Sequence, residues 1–187
     1  MSSSSFFTGS GDDGFTGLLG EGRVPKYDPR PDTYGTLDET SSALGLARAL
    51  APSSQLKDVV VILQRDLYHM MAEVAATPDQ ADKFRRIDQA RIDWLEDQIA
   101  EFETGIEMPD EFVLPGDTLA GAAFDLARTV VRRAERLVAR LVHADQLDND
   151  LLLVYLNRLS SLCFVLALYA NQEAGVSRPS LAKGQTP

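Results

Sequence analysis

Four arginines and a glutamate fall within the run Ala127-Arg128-Thr129-Val130-Val131-Arg132-Arg133-Ala134-Glu135-Arg136. At about 100° per residue a helix here lines up Arg128, Arg132, Glu135 and Arg136 on one stripe. Leu126, Val130, Ala134, Leu137 and Leu141 fall on an opposite, apolar stripe that points to a core. Guanidinium forks match phosphate oxygens bidentately, so a rigid stripe of this kind suits a polyphosphate. The chain's formal net charge is −10, and the patch inverts that field locally. A solvated helix face laced by Arg–Glu pairs three and four apart has the same pattern.

A second candidate lies near the start, Phe7-Thr8-Gly9-Ser10-Gly11-Asp12-Asp13-Gly14-Phe15-Thr16-Gly17-Leu18, then Gly20-Glu21-Gly22-Arg23-Val24-Pro25-Lys26. Glycines allow close approach of the backbone and let amide hydrogens converge on an anion. Thr8, Ser10 and Thr16 add hydroxyls and Lys26 adds a point charge. No Gly-Lys-Ser/Thr follows at Walker spacing and no strand precedes, so this is not a P-loop. A flexible polar tail shares the composition. Phe7, Phe15, Leu18 and Leu19 are apolar anchors that such a tail seldom carries.

Two further segments bear polar groups on helical patterns. In Tyr34-Gly35-Thr36-Leu37-Asp38-Glu39 a buried Asp38 would need a cation, and the arginine run is the source of one, so an Asp38–Arg pair is expected. A solvated face is the alternative. In Tyr155-Leu156-Asn157-Arg158-Leu159-Ser160-Ser161 a mid-helix Asn157 is locally unfavourable. Its amide is expected to bond a neighbouring helix or a ligand, on a stripe shared with Ser160, Ser161 and Phe164. His69 and His143 have no partner at metal-ligand spacing, so no protein metal site is expected. Cys163, the only cysteine, sits in an apolar run and reads as core, which suits a reducing cytoplasm. With no nucleophile–base pair in evidence, an enzyme of this type would position two reactants and stabilise anionic charge.

The elements that must hold these residues are helical. Apolar periodicity and caps predict helices from about Asp32 to Leu50, from Ser53 or Ser54 to Thr77-Pro78, from Asp88 to Gly105, from Asp117 or Thr118 through the arginine run, and from about Asp148 to Glu173 before Gly175. No strand alternation of useful length and no repeat is visible. The fold class expected is all-α, a five-helix bundle with a glycine-rich N-terminal segment over residues 1–30 and a flexible tail over 176–187. The 187 residues, 44% hydrophobic and 25% charged, suffice for one core and one domain. Acidic balance argues against sequence-independent nucleic-acid binding. The apolar stretches, such as Leu162–Ala170, read as too short for a membrane span, and the start lacks a signal peptide's basic and apolar regions.

In order along the chain, these segments resemble the PduO-type cob(I)alamin adenosyltransferases. The likeness runs from Phe7 to about Asn171. It rests on the segment from Thr8, Arg23-Val24-Pro25-Lys26, Tyr34 to Glu39, Phe112-Val113-Leu114-Pro115-Gly116, Ala127 to Arg136 and Tyr155 to Ser160. The resemblance implies a homotrimer with active sites between subunits. It implies transfer of the 5′-deoxyadenosyl group from ATP to cob(I)alamin, giving adenosylcobalamin and triphosphate, with Mg²⁺ arriving on the ATP. A cobalamin reductase and an adenosylcobalamin-dependent enzyme are the implied partners.

Carried over by position, the ATP site falls on Thr8, Gly9, Ser10, Gly11, Thr16, Gly17, Lys26, Arg132, Arg133, Glu135, Arg136 and Asn157. Arg132 would stabilise charge on the leaving triphosphate. Asp38 and Arg128 match a salt bridge beside the corrinoid, and Phe112 an aromatic on the lower face of cobalt. Arg132, Arg128 and Asp38 are the implied catalytic set. The chain departs from the usual pattern at Gly9 (commonly Lys or Arg), Asp117 (Gly), Asp125 (His), Ser161 (Asp) and Leu168 (Arg). Its tail lacks the family's aromatic C-terminal segment. These departures make a non-catalytic trimeric protein that delivers cobalamin or senses ATP the alternative function.

Overall fold

The computed structural model describes residues 7–183, so residues 1–6 of the glycine-rich segment and 184–187 of the tail lie outside the described residues. Six helices carry the fold: α1 (Pro29–Leu50), α2 (Ser54–Ala75), α3 (Ala81–Phe84), α4 (Gln89–Glu103), α5 (Leu119–His143) and α6 (Leu151–Glu173). Five match the expected helices. The sixth, α3, is a single turn, too short to show a period. A two-stranded antiparallel sheet, β1 (Phe15–Gly17) with β2 (Arg23–Pro25), was not expected, since three-residue strands carry no readable alternation.

Local chemistry sets the helix ends. Asp28 accepts from the Arg30 amide at 2.9 Å, and proline stands in the first turn of α1, where its missing N–H is no loss. That is why α1 begins at Pro29, ahead of the expected Asp32. Ser53, Asp88 and Thr118 cap α2, α4 and α5 through their side chains. After α6, Gly175 adopts φ 86°, its amide bonds Gln172 O, and the Val176 amide bonds Asn171 O. This left-handed cap turns the chain back on itself.

Helix α5 lies between α1 and α6, with α2 against α1 and α4 against α6. Its buried face combines small residues, Ala120, Gly121, Ala123, Ala127 and Ala134, with Phe124, Val130, Val131, Val138 and Leu141. Of the expected apolar stripe, Val130, Ala134 and Leu141 are buried, and Leu126 and Leu137 are not. Leu126 is 52% exposed and Leu137 half-buried, because the alanines, which carry little hydropathic signal, are what meet the neighbours. A Cβ on Gly121 would stand 2.1 Å from Asn171 Oδ1 on α6, and Thr118 Oγ1 donates to that same oxygen at 2.6 Å.

Helix α6 is long and apolar enough, by length and composition alone, to cross a membrane, a point the shorter run Leu162–Ala170 hides. Here Leu152, Tyr155, Leu156, Leu159, Leu162, Cys163 and Leu166 are fully buried among the other helices.

Three buried polar groups tie the helices together. Asp66 on α2 accepts from Tyr155 Oη on α6 at 2.7 Å and from Arg91 on α4. Arg30 donates to Val74 O and Ala76 O at 2.8 and 2.9 Å, and to Gln146 O, so it caps the C-terminal carbonyls of α2. Glu73, fully buried, accepts from Asn149 Nδ2 at 2.9 Å and faces Arg85 at 3.4 Å.

Two outcomes follow from this packing. Gly121→Ala forces Asn171 off the Thr118 cap and lowers unfolding free energy by about 1–3 kcal/mol in denaturant titration. Burial raises the pKa of Glu73 despite the opposing pull of Asn149 and Arg85. The folded state then keeps a proton that the unfolded chain has released, so stability falls as pH rises from the ordinary carboxylate value through the raised one. Glu73→Gln removes that slope, and its stability relative to the parent improves as pH rises toward neutrality.

Candidate active site

Helices α5 and α6 frame two adjacent cavities. The first, about 510 Å³, is lined by Arg132, Glu135, Arg136 and Ala139 of α5 and by Leu153, Val154, Asn157 and Arg158 of α6. The second, about 480 Å³, has Asp125, Arg128 and Arg132 on one side and Ser160, Ser161, Phe164 and Val165 on the other. Met108, Glu111, Phe112 and Val113, from the loop between α4 and α5, and Glu103 of α4 complete its lining. Arg132 borders both. A cavity lined by three arginines thus meets, at the single guanidinium of Arg132, one that carries the apolar side chains Met108, Phe112, Val113, Phe164 and Val165.

The arginines differ in how far they are already engaged. Arg128 Nε donates to Asp125 Oδ1 at 2.8 Å, and Arg133 pairs with Glu39 on α1. Asn157 Nδ2 donates to Glu135 Oε1 at 2.9 Å, and Arg158 bridges Asn157 Oδ1 and Glu96 at 2.9 and 2.8 Å. Arg132 and Arg136 make no ion pair or hydrogen bond from their side chains among the described residues. They are the two guanidiniums of the stripe left to bind an anion.

The expected Asp38–Arg128 pair does not form within the chain. Asp38 is exposed on α1 and makes no ion pair among the described residues. Asp125, one turn before Arg128 on the same helix, reaches its guanidinium without any interhelical geometry. Arg133, read with the anion-binding group, points to α1 and lines neither cavity. Cys163 is fully buried, and burial pushes its thiol up to about 12, so it stays protonated core.

The glycine-rich segment folds as a compact turn. Gly9 and Gly14 adopt φ 73° and 82°, the Asp12 amide bonds Gly9 O, and the Gly14 amide bonds Gly11 O. Lys26 closes it: its amide bonds Gly14 O at 2.9 Å and its ammonium lies over Gly11. Arg23 grips Asp13 with both terminal nitrogens, at 2.9 and 2.8 Å, and also donates to Ser10 O and to Phe15 O at 3.1 Å. That fork holds the Asp13 carboxyl below the ordinary carboxylate range. Leu19 pairs with Ala76 and bonds Ala75 and Thr77, docking the segment on the end of α2. Thr8, Gly9, Ser10, Gly11, Thr16, Gly17 and Lys26 therefore form one unit, but they line neither cavity of their own chain.

The family described as cobalamin adenosyltransferase matches residues 6–170. The chain belongs to that family. Among its relatives is the corrinoid adenosyltransferase of Mycobacterium tuberculosis (strain ATCC 25618 / H37Rv), 40% identical over 174 residues, covering 91% of this chain and 90% of that one. The corrinoid adenosyltransferase of Bacillus subtilis (strain 168) is 32% identical over 91% of this chain and 88% of its own. Of solved structures, a Phe-to-His variant of a PduO-type ATP:corrinoid adenosyltransferase from Lactobacillus reuteri, complexed with cobalamin and ATP, superposes with a TM-score of 0.88 at 30% identity. The superposition covers 97% of this chain and 98% of that one. An Arg-to-Lys variant of the enzyme, complexed with ATP, gives 0.86 at 31% identity, over 95% and 100%.

For a cobalamin adenosyltransferase of the PduO type, several lining residues escape sequence reasoning. Leu153 and Val154, which no motif singles out, floor the first cavity. Met108, Phe164 and Val165 give the second cavity its apolar wall, and only Phe164 was signalled, by its place on the Asn157 stripe. Arg23 was visible inside its motif without a role. Replacing it with lysine keeps the charge but not the fork. Arg23→Lys is expected to speed amide hydrogen exchange at Gly14, Phe15 and Lys26 several-fold, while exchange in α5 and α6 is unchanged.

Proposed function

We propose that this protein transfers the 5′-deoxyadenosyl group of ATP to cob(I)alamin, releasing adenosylcobalamin and triphosphate. Arg132 carries the reading: it has no ion-pair or hydrogen-bond partner for its side chain among the described residues and stands where the two cavities meet. Triphosphate in the first cavity and the corrinoid in the second would put the adenosyl C5′ between them. Two electrons of Co(I) form the Co–C bond as the C5′–O bond breaks and its electron pair leaves on the triphosphate. A guanidinium at that oxygen stabilises the charge as it develops. Arg136 and the Asn157–Glu135 pair would orient the nucleotide, and Mg²⁺ would come with it on phosphate oxygens. Phe112, 72% exposed at the edge of the second cavity, would stack under the corrinoid. Arg128, held by Asp125, would face the corrinoid edge, with Asp38 beside it from outside the chain's own cavity.

The remaining nucleotide contacts, Thr8 to Gly11, Thr16, Gly17 and Lys26, would come from a neighbouring subunit. Two observations support a trimer with sites between subunits. The glycine-rich turn is preformed but, among the described residues, lines neither of the two cavities. Leu119 and Leu126, 77% and 52% exposed, lie two turns apart on α5, where a subunit contact would cover both. The chain would act as one domain in the cytoplasm, fed by a cobalamin reductase and supplying an adenosylcobalamin-dependent enzyme.

The decisive assay is anaerobic. Chemically reduced cob(I)alamin, ATP and Mg²⁺ should give the adenosylcobalamin spectrum with triphosphate released. Binding of both ligands without conversion would instead indicate the non-catalytic delivery or sensing protein. Arg132→Ala should lower turnover by at least about 10²-fold. Because the side chain is exposed, its unfolding free energy should stay within about 0.5 kcal/mol of the parent. Near-parental turnover in this variant would remove Arg132 from its role.

A further inference from the structure

The loop that carries Phe112 runs from the end of α4 to the start of α5 with no secondary structure of its own beyond one bridge. Residues 176–183, read from sequence as a flexible tail, return along it. The Leu114 amide donates to Ser180 O at 2.7 Å, the Ala182 amide donates to Phe112 O at 2.8 Å, and Val113 bridges Leu181 in antiparallel register. Asp117 closes the contact: Ser180 Oγ donates to its Oδ1 at 2.6 Å and the Ser180 amide to its Oδ2 at 3.0 Å. Among the described residues, every hydrogen bond that ties residues 107–117 to the rest of the chain ends on Ser180 or Ala182. Asp117 takes no part in capping α5, which Thr118 does alone.

We infer that Asp117 and Ser180 are positioning residues that latch the C-terminal strap to the Phe112 loop and so fix Phe112 at the mouth of the second cavity. Phe112 is itself exposed, so packing does not hold it; its own carbonyl is one of the strap's anchor points. Both oxygens of one carboxylate are spent on one residue of the strap, a geometry that neither an alanine nor a glycine at 117 could supply. Gly175 aims the strap, because its left-handed cap reverses the chain at the end of α6 toward the start of α5. Holding the loop before the ligand arrives removes an ordering cost from binding. The latch therefore governs affinity for whatever stacks on Phe112, and leaves the Arg132 cavity alone.

The role of the latch rests on the corrinoid reading of the second cavity, and its test separates the two. Hydrogen exchange read by mass spectrometry on the ligand-free full chain measures the latch itself. Spectral titration with cob(II)alamin in the presence of ATP measures its consequence. Asp117→Ala and Ser180→Ala should each speed exchange over residues 112–114 and 180–182 several-fold. Each should weaken cob(II)alamin binding about tenfold, the size expected for losing one or two charge-assisted bonds, with ATP affinity unchanged. Asp117→Asn, which keeps an acceptor and a donor for Ser180, should restore most of both.

Unchanged exchange in Asp117→Ala overturns the latch. Faster exchange with unchanged cob(II)alamin affinity overturns its positioning role. Equal loss of ATP and corrinoid affinity would also overturn it, by showing a general loosening. Failure of the parent protein to bind any corrinoid overturns the corrinoid reading, and with it the positioning role, while the exchange arm still decides whether the latch exists.

Discussion

The close packing of α5 is the constraint on which the site depends. Alanines and one glycine interspersed with Phe124, valines and Leu141 seat the helix between α1 and α6, and a methyl group on Gly121 would strike the Asn171 side chain. A helix held that tightly has little freedom to rotate. Its arginine stripe is then fixed along the seam with α6, where Asn157, Ser160 and Phe164 meet it from the other side. Substrate positioning at the level of ångströms needs such a rigid support. Small residues supply it here more effectively than large ones, because backbone-to-backbone approach admits fewer alternative rotamers.

Charge is distributed over this seam with a division of labour. Asp125, Glu39 and Glu96 hold Arg128, Arg133 and Arg158, and Glu135 is occupied by Asn157. Those pairs are partly exposed and contribute little to stability singly. Their effect is on geometry: they pin side chains that would otherwise sweep across the cavities. Arg132 and Arg136 remain as the unneutralised charge, in a chain whose net charge is −10. An anion is favoured at that one place, while the rest of the surface repels it.

Much of this was legible in the sequence because helix caps and helical periodicity are local. Ser53, Asp88 and Thr118 announce three helix starts, Gly175 one stop, and the arginine stripe follows from a period alone. What was not legible is set by tertiary partners or by brevity. The buried face of α5 was misread by part of a turn because hydropathy weights Leu126 and Leu137 above Ala123 and Ala127. The Asp38–Arg128 pair came from the resemblance, whereas the three-residue spacing of Asp125 and Arg128 already made Asp125 a competitor, and within the chain it holds that guanidinium. The β1–β2 ribbon and α3 are shorter than any period. The relation of the glycine turn to the arginines is not a property of one chain's cavities, so neither the sequence pattern nor the single subunit displays it.

Two departures from the family pattern become one when seen in three dimensions. Asp117 in place of glycine and a tail without the usual aromatics read in sequence as unrelated changes sixty residues apart. In the fold they are bonded partners. A glycine at 117 offers the strap no acceptor, and the Ser180 amide and hydroxyl would lose their partner, leaving the Leu114 and Ala182 backbone bonds alone to hold it. Conversely, without the strap a carboxylate at 117 would be an idle charge, since Thr118 already caps the helix. The tail alone ties the loop by two backbone bonds; with Asp117 present a carboxylate adds two more. The free energy of closing lies in hydrogen bonds to a charged acceptor rather than in an aromatic contact, so salt and solvent exposure set its strength more than apolar area does. The loop is thus held, in this chain, by a polar device, and the mouth of the second cavity takes its shape from it.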